Sequence, residues 1–424
     1  MDILIAEVIG DVALVLAVAS VLGAIARRCG QPAVIGQILA GILLGPSALG
    51  RLPGHLSARL FPHSALPALT VLSQVAVVIF MFAVGYELDR RALRRRHRAV
   101  WLVAVCALIV PMSLGAGSAL VFRSQIAKLG QPHVSHSMVL FMGVALAITA
   151  LPVLAAISRE RGIAGTVPGV VAASAAGVMD VAAWVVLAAA LVGTPGRTGR
   201  PWPETLGLIV CFAAVMLLGV RPVLRFWLSR RRAMSNQLPV ALVLALGSAW
   251  VTASLGLHPV FGGFLAGLTM PGPDGTPDAE VLRPMEEIGG ILLPLFFVVT
   301  GLSVNVGALN GDAVALLVIL CALASAGKLG PGYLAAKLGG LCRRDAATVA
   351  ALVNTRGLTE LIALNVGLSA GLIDQRLFSI LVLMAVLTTI ATSPLLSLIR
   401  ARAAPPPGNI TPEAHAGVQH TEES

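Results

Sequence analysis

Apolar runs of about 20 residues, the length a helix needs to cross a bilayer, recur along the whole chain between short segments rich in Arg, Gly and Pro. They predict thirteen helices, near residues 8–26, 33–49, 66–86, 99–121, 136–158, 166–192, 204–221, 238–256, 258–270, 287–304, 313–336, 346–369 and 376–398. The second and ninth are short and interrupted by glycine. Two others are broken inside: the fifth by Thr149-Ala-Leu-Pro152 and the twelfth by Asn354-Thr-Arg-Gly357. Proline removes a backbone donor and disfavours α geometry at the residue before it, so the fifth helix should unwind there. The freed carbonyls then need partners from protein or from a water-filled cavity, because lipid offers none.

The pattern also repeats. Pro32-AVIGQILAG-Ile42 in the second helix resembles Pro259-VFGGFLAG-Leu268 in the ninth, and the broken fifth helix has its counterpart in the broken twelfth. Both pairs are seven helices apart. An odd offset makes the copies cross the membrane in opposite directions, which is the inverted-topology repeat of secondary transporters, with discontinuous helices meeting near the midplane. The expected copies are residues 33–192 and 258–398, inside a transmembrane domain of residues 1–400. The polar, Pro-rich stretch 401–424 is expected to be a disordered cytoplasmic tail with no soluble regulatory domain after it.

Composition agrees with an all-α polytopic membrane protein. Hydrophobic residues make up 57% of the chain and charged ones 12%, with a mean hydropathy of +0.89, outside the range of soluble domains. The net charge of +10 does not point to nucleic acid, because the basic residues sit in short loops between apolar runs. Their larger share, including Arg27, Arg28 and the Arg90–Arg98 run, falls on one side. By the positive-inside rule this places the N-terminus outside and the C-terminus in the cytoplasm, in the plasma membrane if the source is prokaryotic. The first residues lack the basic start of a cleaved signal peptide, so the first helix is expected to be retained. Cys29, Cys106, Cys211, Cys321 and Cys342 have neither metal-ligand nor disulfide spacing. No motif for a resident cofactor is present.

Against this background, few residues carry chemistry. Asp180 lies near the middle of the sixth helix, and a carboxylate at that depth is a functional-site hypothesis by default. Beside unwound backbone it can hold a dehydrated monovalent cation or a proton; the alternative is a structural acid paired with a neighbouring cation. Lys328, midway along helix eleven, is too deep to reach the interface; it is expected to face a carboxylate or the carbonyls of a broken helix, either holding the crossing or exchanging a proton itself. Arg356 and Glu360 are spaced i, i+4 and are expected to pair beside the break. Glu87 ends the third helix before the Arg-rich loop, as part of an inner funnel for cations or as a solvated acid paired with arginine. His258 is placed at a helix boundary, and His55, His63, His133 and His136 in outer loops.

Five segments together resemble the monovalent cation:proton antiporter-2 family, which includes Kef-type systems and the plant CHX exchangers. They are Ala147-ITALPV-Leu154, the Asp180 helix, His258-PVFGGFLA-Gly267, Leu293-PLFFVVT-Gly301 and Asn354-TRGLTE-Leu361. The resemblance covers residues 10 to 398 in order, and the wording around Thr149 and Arg356 is similar to the CHX branch. It implies a homodimeric thirteen-helix exchanger of Na+ or K+ for H+, with a six-helix core moving against a dimerisation domain. By position, it implies that Asp180 binds cation and proton, that Thr149 lies in the unwound crossing and that Lys328 is the core lysine. One position departs from the family. Electrogenic relatives carry a second Asp before the carboxylate and electroneutral ones Asn or Gln, whereas this chain has Met179, so one-for-one electroneutral exchange is the simpler expectation.

The expected function is therefore antiport by alternating access, with a role in pH homeostasis. A different class, an uncoupled or gated cation channel or an ion sensor on the same fold, is separated from it by whether a cation gradient drives protons uphill. No HExxH, no GxSxG with partners and no clustered acids for metal-bound phosphate favour an intramembrane enzyme.

Overall fold

The computed structural model describes residues 2–51, 60–62, 64–87, 97–129, 134–192, 202–231, 237–272 and 276–401. Among these residues all regular structure is helical. In chain order the helices are α1 (Asp2–Arg28), α2 (Ala33–Leu44), α3 (Leu66–Glu87), α4 (His97–Val121), α5 (Arg123–Lys128), α6 (His136–Ala147), α7 (Leu151–Glu160) and α8 (Val167–Val192). Then follow α9 (Trp202–Ala214), α10 (Arg221–Arg231), α11 (Leu238–Ser254), α12 (Pro259–Thr269), α13 (Ala279–Leu302), α14 (Gly311–Leu338), α15 (Arg343–Val353), α16 (Leu358–Ser369) and α17 (Gln375–Ala401). Nine spans in the described residues are long and apolar enough to cross a membrane, and the segments 136–147, 238–254 and 259–269 form shorter apolar helices.

Two helices run further than their apolar stretch. α13 begins at Ala279, because Asp278 caps its first turn by accepting from the Glu280 amide and the charged segment through Glu287 adds about two turns before the apolar stretch begins. After α9 the chain continues through a π-helical turn, Val215–Val220, into the arginine-rich α10. His136 opens α6 under a Ser135 cap that accepts from the Met138 amide. His55, His63, His133, Leu88–Arg96 of the arginine-rich loop, and the tail after Ala401 lie outside the described residues.

The helices pack in two groups. α1, α2, α3, α11, α12 and α13 form one, and α4, α6, α7, α8, α14, α15, α16 and α17 form the other. Hydrogen bonds join the groups, with Asn365 of α16 donating to Thr300 of α13 at 3.0 Å and the Asn305 amide donating to Ser379 of α17 at 3.1 Å. The first group is held at small residues that let backbones touch. A Cβ built on Gly41 of α2 would sit 2.2 Å from the Val298 carbonyl oxygen and 2.7 Å from Gly301 Cα of α13. Without a hydrophobic force between helices in lipid, such close packing carries much of the association.

Gly41→Ala should therefore lower the melting temperature of the purified protein in detergent, by overpacking of about 1–3 kcal/mol. Gly330→Ala on α14, where nothing lies within 4 Å of the added methyl, should leave it unchanged or raise it slightly.

Candidate ion site at the helix crossing

The two sequence breaks meet. α6 stops at Ala147 and α7 starts at Leu151; α15 stops at Val353 and α16 starts at Leu358. The two breaks bond to each other: the Ala150 amide donates to the Thr355 carbonyl at 3.1 Å, the Thr149 hydroxyl to the Val353 carbonyl at 3.1 Å, and the Thr359 hydroxyl to the Thr149 carbonyl at 3.2 Å. Gly357 makes the turn into α16 at φ 147, where a side chain is strained, and a Cβ there would come 2.9 Å from Val153 of α7. Thr389 of α17 closes the back of the break, accepting from the Arg356 amide at 3.0 Å and donating to the Arg356 carbonyl at 2.9 Å.

Each exposed helix end meets a group of suitable charge. At the C-terminal end of α6, the Arg356 guanidinium donates to the carbonyls of Ala145 at 2.8 Å and Leu146 at 2.5 Å. Lys328 donates to the Ile148 carbonyl at 2.8 Å and to the Thr149 hydroxyl. Two cations thus face the negative end of one helix. Glu360, in the first turn of α16, takes the same Arg356 guanidinium at 3.0 Å, and both residues are fully buried. At the N-terminal end of α7 stands Asp180 of α8.

Asp180 is 2% exposed, and neither carboxylate oxygen accepts a hydrogen bond of normal geometry. The Leu151 amide, first of α7, faces it without reaching that geometry, and Lys328 lies within electrostatic range without forming an ion pair. The four ionisable side chains of the crossing are two acids and two bases. Both bases are engaged by carbonyls, so Asp180 is the acid left without a bonded cation. A buried carboxylate with unfilled acceptor sites has the chemistry to hold a proton or a dehydrated cation.

The structure brings Asp180, Thr149, Lys328, Arg356 and Glu360 to one crossing. Glu87 is not there; it ends α3 at an exposed position within electrostatic range of Glu286 of α13, which also has Arg159 of α7 and Arg283 of α13 as neighbours. Met179 turns into an apolar cluster with Ala150, Val153 and Val353 and adds no oxygen. Sequence reasoning missed Thr359 and Thr389. The run of Thr388, Thr389 and Thr392 in an otherwise apolar span is the signal that points to them.

Arg356→Ala should destabilise the protein by about 3–5 kcal/mol, because it strands a buried acid and two helix carbonyls. Glu360→Gln should cost less, since Arg356 keeps both carbonyls, and the double variant Arg356→Ala/Glu360→Ala should recover part of the loss. Thermal melting of the purified variants in detergent orders the three.

Known proteins resemble this chain over most of its length. The chain is 36% identical over 398 residues to Cation/H(+) antiporter 20 of Arabidopsis thaliana, covering 90% of this chain and 47% of that protein. It is 34% identical to the Na(+)/H(+) antiporter NhaS4 of Synechocystis, covering 92% of this chain and 96% of that one, and 30% identical to the K(+)/H(+) antiporter 1 of Saccharomyces cerevisiae over 87% and 43% of the two chains. It therefore spans about half the length of the plant relatives. The fold is similar to that of the sodium proton antiporter MjNhaP1 from Methanocaldococcus jannaschii, with TM-score 0.63 at 14% identity over 94% of this chain and 99% of that one. Residues 14–398 match the family described as sodium/hydrogen exchanger, transmembrane, and the chain belongs to that family.

Proposed function

We propose that the protein is a secondary antiporter that exchanges a monovalent cation, Na+ or K+, for H+, with both ions competing for Asp180. One observation carries this: in a chain of the sodium/hydrogen exchanger family, a carboxylate buried beside two broken helices has neither oxygen in a hydrogen bond of normal geometry and no bonded cation. Competition for one group couples the fluxes, because the site crosses loaded with one ion or the other. Relatives described as Na(+)/H(+) and as K(+)/H(+) antiporters support a monovalent cation as partner and leave both ions as substrates.

In this proposal α6–α7 and α15–α16 each make one crossing, as do α9–α10, which gives thirteen spans and two inverted repeats, residues 33–192 and 258–398. The helix group that holds Asp180 rocks against the group of α1–α3 and α11–α13 to give alternating access. Thr149 lies beside the ion, while Lys328, Arg356 and Glu360 hold the crossing. Glu87, with Glu286 near it, gathers cations at the inner mouth. The basic loops orient the chain with the N-terminus outside and the C-terminus cytoplasmic, and the protein works as a homodimer in pH homeostasis. With Met179 in place of a second acid, the exchange is one-for-one and electroneutral.

In everted vesicles from cells lacking their own antiporters, Asp180→Asn should abolish cation-dependent proton movement while the protein remains in the membrane. Full exchange in that variant would sink the mechanism, and failure of an imposed cation gradient to move protons uphill in the wild type would identify a channel instead. Clamping the membrane potential at zero should leave the wild-type rate unchanged, whereas a clear change would show that net charge moves.

A further inference from the structure

The crossing holds another buried oxygen without a partner. Asn354 ends α15 as its cap, is 1% exposed, and its Oδ1 accepts no hydrogen bond. It is the middle residue of Val353-Asn354-Thr355, whose outer carbonyls take the Thr149 hydroxyl and the Ala150 amide. The next amide in line, that of Leu151, faces Asp180. Consecutive residues 149, 150 and 151 therefore meet Val353, Thr355 and Asp180, so that Asn354 and Asp180 flank the same short break. Their chain neighbours Val353 and Met179 share one apolar cluster, and α8 packs directly on α15.

A buried amide oxygen left unpaired is destabilising, and a small apolar residue at the cap would remove that cost. The oxygen persists where the crossing would need it for a partner that the chain itself does not supply. An amide oxygen is a neutral, hard donor of the kind that replaces water around an alkali cation. It holds no proton of its own in the working range of a carboxylate. It therefore acts on one of the two competing ions and not on the other, a distinction that Asp180 alone does not make.

We propose that Asn354 Oδ1 is a second ligand to the cation carried at Asp180, and that it sets cation affinity and selectivity independently of proton binding. This rests on the assignment of Asp180 as the exchange site. Lys328 and the Thr149 hydroxyl are already engaged with one another and with backbone carbonyls, and Met179 adds no oxygen.

The test uses the full-length protein in everted vesicles with Li+, Na+, K+ and Rb+, comparing the wild type with Asn354→Ala, Asn354→Ser and Asp180→Asn at matched membrane abundance. Asn354→Ala should raise the half-saturating cation concentration about tenfold, the loss of one modest contact, and change the order of the four cations. The pH profile at saturating cation should stay in place. Asn354→Ser keeps a neutral oxygen on a shorter arm and should fall between wild type and alanine. An unaltered half-saturation and cation order in Asn354→Ala would overturn the ligand role, as would serine being as impaired as alanine. Should the alanine variant fail to reach the membrane, serine decides alone: an altered cation order at an unmoved pH profile supports the ligand, and a wild-type order overturns it. Exchange surviving in Asp180→Asn removes the exchange-site assignment itself, whereas an inactive Asp180→Asn beside an unaltered Asn354→Ala removes only the proposal for Asn354.

Discussion

Hydrocarbon has no hydrogen bonds to give, and the tertiary arrangement of the core follows from that. Two helices broken at membrane depth release carbonyls and amides that would each cost several kcal/mol if left to lipid. Here they are satisfied by each other and by side chains from elsewhere in the chain. Arg356 reaches back to Ala145 and Leu146, Lys328 to Ile148, and Thr149 to Val353. These contacts join residues about 180 to 210 positions apart. The crossing is thus a long-range closure on which α6, α7, α8, α14, α15, α16 and α17 all depend.

The same closure creates the chemistry. Because the two buried bases are drawn to the end of α6, the acid at the start of α7 lacks a bonded counter-charge. A helix N-terminus gives it a partial positive environment without neutralising it. In the proposed exchange, a proton or a cation supplies the missing positive charge. Glu360, with the same side-chain chemistry, is excluded from this role by its 3.0 Å contact with Arg356. Placement relative to the helix ends separates the two carboxylates.

The helices divide into two packing groups. One group carries the crossing, and the other, closed by backbone contacts such as Gly41 on Val298, is a tightly packed partner. Polar links between them include Asn365 to Thr300, Asn305 to Ser379, Gln31 to the Ile390 carbonyl and Gln375 to the Ser303 carbonyl, all between neutral groups. Contacts of that kind are worth about 1 kcal/mol each.

Much of this was legible in the order of residues. Apolar run length marks the spans because bilayer thickness sets it, Pro152 and Gly357 mark the breaks because backbone geometry does, and an acid at Asp180 is conspicuous among apolar neighbours. The i, i+4 spacing of Arg356 and Glu360 is likewise a local property of a helix. The sequence could not tell which carbonyls Arg356 and Lys328 would take, that Thr389 would bind the Arg356 backbone, that Glu286 would come near Glu87, or that Asp180 and Asn354 would keep oxygens unpaired. Those facts depend on which distant segments share the interior, and only the packed structure decides that. Spacing along the chain reports the cost of leaving water, whereas the choice of partner is settled by the geometry between packed helices.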